Sequence, residues 1–302
     1  VGGGTAFNLS EGLNSISAPP TAYGSVSGYT SGGRDPTRNS IEKFSFTSDA
    51  NATDVGDLTQ GRYGPAGQSS DVSGYTSGGS LPSNSNVIDK FSFAADGNAT
   101  DVGNLTVARS RGLAGQSSTV SGYSSGGFGG ANIIDKFPFA SDANATDVGN
   151  LTRSQTGQSG QSSTESGYTS GGGSNTIDKF PFASDANATD VGDLLSSGSG
   201  QSGQSSDVSG YASGRTPPST FSNVIQKFPF ASDGNATDVG DLQAILNDSA
   251  GSSSTASGYV IGGQPSSSGN NIIEKFPFAA DANSTDVGDL VEYRRVAAGQ
   301  QV

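Results

Sequence analysis

The chain has 302 residues, 46 of them Gly and 12 Pro, with 31% hydrophobic and 14% charged residues and a formal net charge of −13. It holds no His and no Cys, which excludes Ser-His-Asp and Cys-His nucleophile systems, imidazole or thiolate zinc sites, disulfides and ordinary haem ligation. The excess of 28 acidic over 15 basic residues speaks against a nucleic-acid partner, since phosphate binding needs a positive surface, and no apolar run approaches the roughly 20 residues of a membrane-spanning helix.

Residues 1 to about 21, punctuated by Gly2-Gly3-Gly4 and Pro19-Pro20, fall outside any repeat and are expected to form an N-terminal arm. From residue 22 to 302 the chain repeats six times. A Gly-Tyr pair recurs at Tyr29, Tyr75, Tyr123, Tyr168, Tyr211 and Tyr259, and a Lys-Phe pair follows in register at Lys43, Lys90, Lys136, Lys179, Lys227 and Lys275, which are all the lysines of the chain. Each copy divides into four short segments bounded by Gly, Ser, Asn and Asp. In the second copy these are a small-residue run from Gln68, the Ser73 to Gly79 segment, the alternating stretch Val87 to Phe93, and Asp101 to Leu105. Alternation of β-branched or aromatic residues with polar ones has the period of a strand, and no helical period is sustained. Four strands in about 46 residues matches the blade of a propeller. The expected fold is all-β, a six-bladed β-propeller of four-stranded antiparallel blades. Residues 22–26 and Ala298-Gly299-Gln300-Gln301-Val302 each carry part of one strand position. The C-terminal segment is therefore expected to complete the first blade and close the ring, leaving no open edge.

The recurring residues read mainly as architecture. Each Lys is expected to pair with a once-per-blade aspartate, with Asp54, Asp101, Asp147, Asp190, Asp238 and Asp286 as the partners. The Phe pairs, with the tyrosines, Val55 and Leu58, supply the core between blades, because residues i and i+2 share a strand face. Gln68, Gln116, Gln161 and Gln204 are placed on inner strands, filling and hydrating a central channel. In the segment Asp49-Ala50-Asn51-Ala52-Thr53-Asp54-Val55-Gly56-Asp57, the oxygen side chains of Asp49, Asn51, Thr53 and Asp57 have the spacing of calcium ligands. The same residues also form metal-free turns, so calcium is the alternative and no cofactor is required. The Asn-x-Thr or Asn-x-Ser triplet in each copy belongs to this turn.

The order of elements resembles kelch-type propeller repeats: a strand ending in a diglycine (Gly32-Gly33, Gly78-Gly79, Gly126-Gly127, Gly171-Gly172, Gly262-Gly263), a variable loop, an acidic-aromatic strand, and a fourth strand followed by Arg62, Arg109 or Arg153. It departs from them in having no Trp and in reading Gly214-Arg215 in the fifth copy. The wording Lys-Phe-Pro-Phe-Ala-Ser-Asp-Ala-Asn-Ala-Thr-Asp-Val-Gly-Asp-Leu is similar to repeats of marine bacteriophage virion proteins. These resemblances imply a non-enzymatic structural or binding propeller of a virion or extracellular appendage. Its partners would be other appendage proteins, further copies of itself, or a host-surface glycan or protein. A glycan-binding lectin is the alternative, and a carbohydrate-active hydrolase ranks below it, because the acids that break the pattern (Glu11, Asp35, Glu165, Asp248, Glu292) are scattered among copies. No catalytic residue is assigned. Blade-to-blade variation is concentrated in the loops after the diglycines, so Arg34, Arg38, Phe128, Arg215 and Phe221 are the candidate partner-binding residues.

Overall fold

The computed structural model describes residues 25–129, 132–215, 222–264 and 270–302. The expected arm (1–21) and Phe221 lie outside the described residues. Among those described there is no helix, and the strands form six antiparallel blades around one axis. Blade 1 runs outward in the order Ala298–Gln301, Ser27–Ser31, Ser40–Ser45, Thr53–Asp57. Its innermost strand comes from the C-terminus, pairing Ala298 with Ser31 and Gln301 with Gly28, as the split strand position predicts. Blade 2 runs Ala66–Ser69, Ser73–Ser77, Ser83–Ser92, Thr100–Arg109, with a two-residue strand Ser80–Leu81 against the start of the third. The innermost strands contact one another in a closed circle.

The circle is tight because every innermost strand carries Gly at its centre. A Cβ on Gly115 would sit 2.1 Å from the Gly67 carbonyl oxygen, and the same conflict recurs from Gly160 to Gly115, Gly203 to Gly160, Gly251 to Gly203, Gly299 to Gly251 and Gly67 to Gly299. One step further along, the backbone amide of Ser69 donates to Ser117 Oγ, Ser117 to Ser162, Ser162 to Ser205, Ser205 to Ser253, Ser253 to Gln301 Oε1, and Gln301 back to Ser69. The hydrogen-bond belt thus closes through the C-terminal strand.

The inner glutamines do not hydrate the channel. Gln68, Gln116, Gln161, Gln204 and Gln300 are at most 1% exposed. Each Nε2 donates to the main-chain carbonyl of a tyrosine in the next blade: Tyr123, Tyr168, Tyr211, Tyr259 and Tyr75. A carboxamide buried at a packed interface has to be hydrogen-bonded, and here that bond joins two sheets. Farther out, each Phe pair packs on the tyrosine of the preceding blade. Phe137 and Phe139 lie 5.5 and 4.9 Å, centroid to centroid, from Tyr75. Ile88, Leu105 and Val102 join that cluster, and equivalents recur at every interface.

The outer rim carries a ring of lysine–aspartate pairs, with different aspartates from those expected. Lys43 pairs with Asp96, Lys90 with Asp142, Lys136 with Asp185, Lys179 with Asp233, Lys227 with Asp281 and Lys275 with Asp49, at 3.0–3.3 Å. Asp54 and its equivalents are used locally. The fourth strand bulges between Asp54 and Gly56, and Asp54 Oδ1 accepts the Gly56 amide at 3.2 Å, an Asx turn that holds the bulge.

Candidate functional site

The two ends of the ring differ. One end bears the turns between first and second strands and between third and fourth strands, and there the channel narrows to a space of about 60 Å³ lined by Gly, Gln and Ser of the innermost strands. The other bears the variable loops after the diglycines together with the connections from one blade to the next. A cavity of about 410 Å³ opens there, with Arg34, Tyr63, Arg111, Gln158, Gln201 and Asp248 among its walls.

This mouth is held by main-chain hydrogen bonds between successive connections: Gly64 N to Val296 O, Val296 N to Asp248 O, Asp248 N to Gly200 O, and Gly200 N to Gly157 O. The belt requires left-handed backbone, which Gly64, Gly157 and Gly200 adopt freely. Asp248, at φ 56°, and Val296, at φ 54°, stand where other blades have Gly, and Arg111 is left-handed at φ 55° beside Gly112. A left-handed Val is sterically costly. These substitutions place an acid and a large apolar group where the repeat needs no side chain.

Around the mouth, Arg295 Nε donates to Asp35 Oδ2 at 2.5 Å and Arg295 Nη1 lies 3.8 Å from Asp248. Arg34 lies 3.8 Å from Asp35 and stacks over Tyr63 at 5.1 Å. Burial pushes the Asp248 carboxyl above the usual carboxylate range, with Arg295 and Arg34 pulling it back. The pattern-breaking acids are therefore not all scattered: the ring brings Asp35 and Asp248 onto one guanidinium. Sequence spacing could not reveal this, because the two residues come from opposite ends of the chain and meet only when the ring closes.

Of the candidate loop residues, Arg34 is exposed at the mouth, and Phe128 is 57% exposed with Arg111 at 5.9 Å from its ring. Arg38 is held by Glu292. Arg215 is half-buried and donates to the Ser196 carbonyl of the preceding blade at 2.9 Å. Of the possible calcium ligands, two are engaged by neighbours: Asp49 holds Lys275, and Asn51 Oδ1 accepts the Asp289 amide at 3.0 Å. Among the described residues no group of three carboxylates gathers as a metal site.

A further set of residues was missed by the sequence reading. The residue before each Lys, namely Glu42, Asp89, Asp135, Asp178, Gln226 or Glu274, is at most 1% exposed. Each accepts a main-chain amide from the fourth strand of the preceding blade or from the second residue beyond it, from Val291, Thr59, Thr106, Thr152, Leu195 and Gln243 respectively. Three are joined by buried arginines: Arg62 to Asp89 at 2.5 Å, Arg109 to Asp135 at 2.7 Å, and Arg294 to Glu42. Burial lowers the pKa of all three guanidinium groups. Arg153 is exposed and not equivalent to Arg62 or Arg109; the buried position in its blade is Gln155, whose Nε2 reaches Asp178 at 3.5 Å.

A signal for this layer does exist in the sequence. Four residues after the recurring Leu stand Arg62, Arg109, Gln155, Gly198, Leu246 and Arg294, and opposite Gly198, which has no side chain, the acid position holds the neutral Gln226. Gly79 lies against Arg62 and Gly172 against Gln155, whereas in the fifth copy, which lacks the second Gly, Arg215 reaches the Ser196 carbonyl of the preceding blade.

No protein-family model matches the chain, and no curated protein matches it. The six-bladed fold, which suits a binding or structural role, is established by the strands themselves.

Proposed function

We propose that this chain is a non-enzymatic binding or structural propeller that docks to its partners through the end bearing the variable loops and the channel mouth. One observation carries the reading. Residues equivalent in all six blades serve inter-blade bonding, while the blade-specific cationic and aromatic groups Arg34, Arg111, Phe128 and Tyr63 collect at this end. Loops on a rigid scaffold are where recognition resides, and Arg and aromatic side chains are the usual anchors of an interface. The similarity of the repeat wording to phage virion repeats, together with the kelch-like order of elements, supports a virion or extracellular appendage as its setting. Subunit docking or host-surface attachment would then be its task. The carboxyl groups that meet at the mouth are both turned to Arg295, an arrangement that favours a structural ion cluster over a free acid–base pair.

The test is immunogold labelling of purified particles with antibody to this chain, alongside a glycan array and a polysaccharide hydrolysis screen with the purified protein. Labelling of an appendage is expected. Array hits lost in Phe128→Ala would redirect the reading to a lectin, and hydrolysis abolished by Asp248→Asn would overturn the non-enzymatic assignment.

A further inference from the structure

The charges of this chain are separated along the ring axis. All six lysines lie on the outer rim, each in a pair with an aspartate. The Asp54 series and the acids at the position of Asp57 add unpaired negative charge to the same strands. Asp71, Glu165 and Asp207 add more on the turns between first and second strands. Every arginine belongs instead to the half of the molecule that ends in the variable loops. Apart from the buried Arg62, Arg109 and Arg294, these are Arg34, Arg38, Arg111, Arg153, Arg215 and Arg295, against Asp35, Asp248 and Glu292. A chain of formal charge −13 thus has one end whose surface is net positive.

The opposite end also presents an apolar ring. Val72, Val120 and Val208 stand at the tips of the turns between first and second strands, and Val26 takes the equivalent place in blade 1, where its amide meets the Val302 carbonyl; all four are 56–68% exposed around the narrow channel exit. Glu165 and Ala256 occupy the two remaining positions. A β-branched apolar residue repeated at four exposed positions contributes nothing to the core of its own blade. The surface that complements this ring in charge lies on the same molecule and on the same axis: the mouth with Arg34 and Arg111, rimmed by loops that expose Phe128 and Leu81.

We propose that the chain stacks on itself head to tail, the acidic valine-ringed end of one propeller seated on the arginine-bearing mouth of the next. The interface is heterologous, so each copy keeps one free face of each kind and assembly continues along the axis. Complementary fields steer the approach and are weakened by salt. This inference deepens the docking reading above by naming a second copy as the occupant.

Sedimentation velocity of the full chain, over a concentration series at low salt and at about 0.5 M salt, tests it. At low salt the mass should rise through multiples of 30.1 kDa without a plateau, and at high salt it should fall toward one copy. Two variants keep one good end each: Val72→Lys with Val120→Lys and Val208→Lys, and Arg34→Glu with Arg111→Glu. Each alone should stay monomeric and folded, with a thermal transition that falls far less than that of a buried-pair variant such as Arg109→Ala, because all five positions are exposed. Mixed together, they should form a one-to-one dimer and stop. A wild type that halts at a dimer, or variants that fail to combine, would overturn head-to-tail stacking. A monomer at every salt would overturn it too, while leaving docking to a different protein to be judged by the particle-labelling experiment.

Discussion

The interface between blades 2 and 3 and that between blades 5 and 6 are built on the same backbone yet solve the same electrostatic problem differently. In the first, Asp135 accepts the Thr106 amide and hydroxyl and meets Arg109 at 2.7 Å, both charges being fully buried. Arg109 also donates to the carbonyls of Ser124, Gly126 and Ile133. In the second, Leu246 stands where Arg109 does, and among the described residues Glu274 has no cationic partner. It is bonded instead by the Gln243 amide and, at 2.5 Å, by the Ser284 hydroxyl, at a position where the other blades have Ala. Burial pushes the Glu274 carboxyl up, and those hydrogen bonds offset only part of the effect. A buried carboxyl must be paired or must approach neutrality, and the two interfaces show one solution each. The Gly198–Gln226 interface shows a third, in which the charge has been removed.

Breaking the first interface should have the largest effect. Arg109→Ala strands Asp135 in the core, and removing one partner of a buried pair costs about 3–5 kcal/mol. Denaturant unfolding should show that loss, and adding Asp135→Asn should recover a large part of it. Recovery is the outcome that separates an uncompensated charge from a simple cavity.

The second interface is sharpened by pH. Because the folded-state pKa of Glu274 is raised by burial, its contribution is fully present below the unfolded-state pKa of about 4.3 and is lost as pH rises through the folded-state value. Glu42 and Asp178 are also raised by burial and act in the same direction. Glu274→Gln should therefore flatten the decline in stability above the usual carboxylate range and leave a variant at neutral pH as stable as wild type or about 1 kcal/mol more so. Melting temperatures from pH 4 to 8 would show it; a steeper decline in the variant would refute the assignment.

The smallest effect belongs to the exposed ring. Burial lowers the Lys136 pKa, but the hydrogen bond to Asp185 outweighs it and raises the pKa overall. Asp185 is mostly in solvent, so Lys136→Ala should cost only about 0–1 kcal/mol and less still in high salt.

The fold was legible because six Gly-Tyr and six Lys-Phe pairs mark the blades and the split strand marks the closure. Choosing the lysine partners was beyond reach for a physical reason. Asp49 and Asp54 each recur once per blade, and only the offset between neighbouring blades decides that Lys275 meets Asp49 while Asp54 turns back on Gly56. The glutamines do lie on the innermost strands, but their bond to the next blade was out of reach because alternation fixes which face a residue takes, not whether that face meets the channel or the next sheet. The mouth was the least legible part, since Asp35, Asp248 and Arg295 come from three different connections.

The six-fold residues hold the ring, and the blade-specific arginines at the mouth are proposed to dock. The most direct test is to measure thermal unfolding and self-association together on the variant Arg34→Glu with Arg111→Glu. The expected result is loss of end-to-end assembly with a melting temperature that falls far less than that of Arg109→Ala. Assembly that persists, or a melting temperature that falls as far as that of Arg109→Ala, would contradict it.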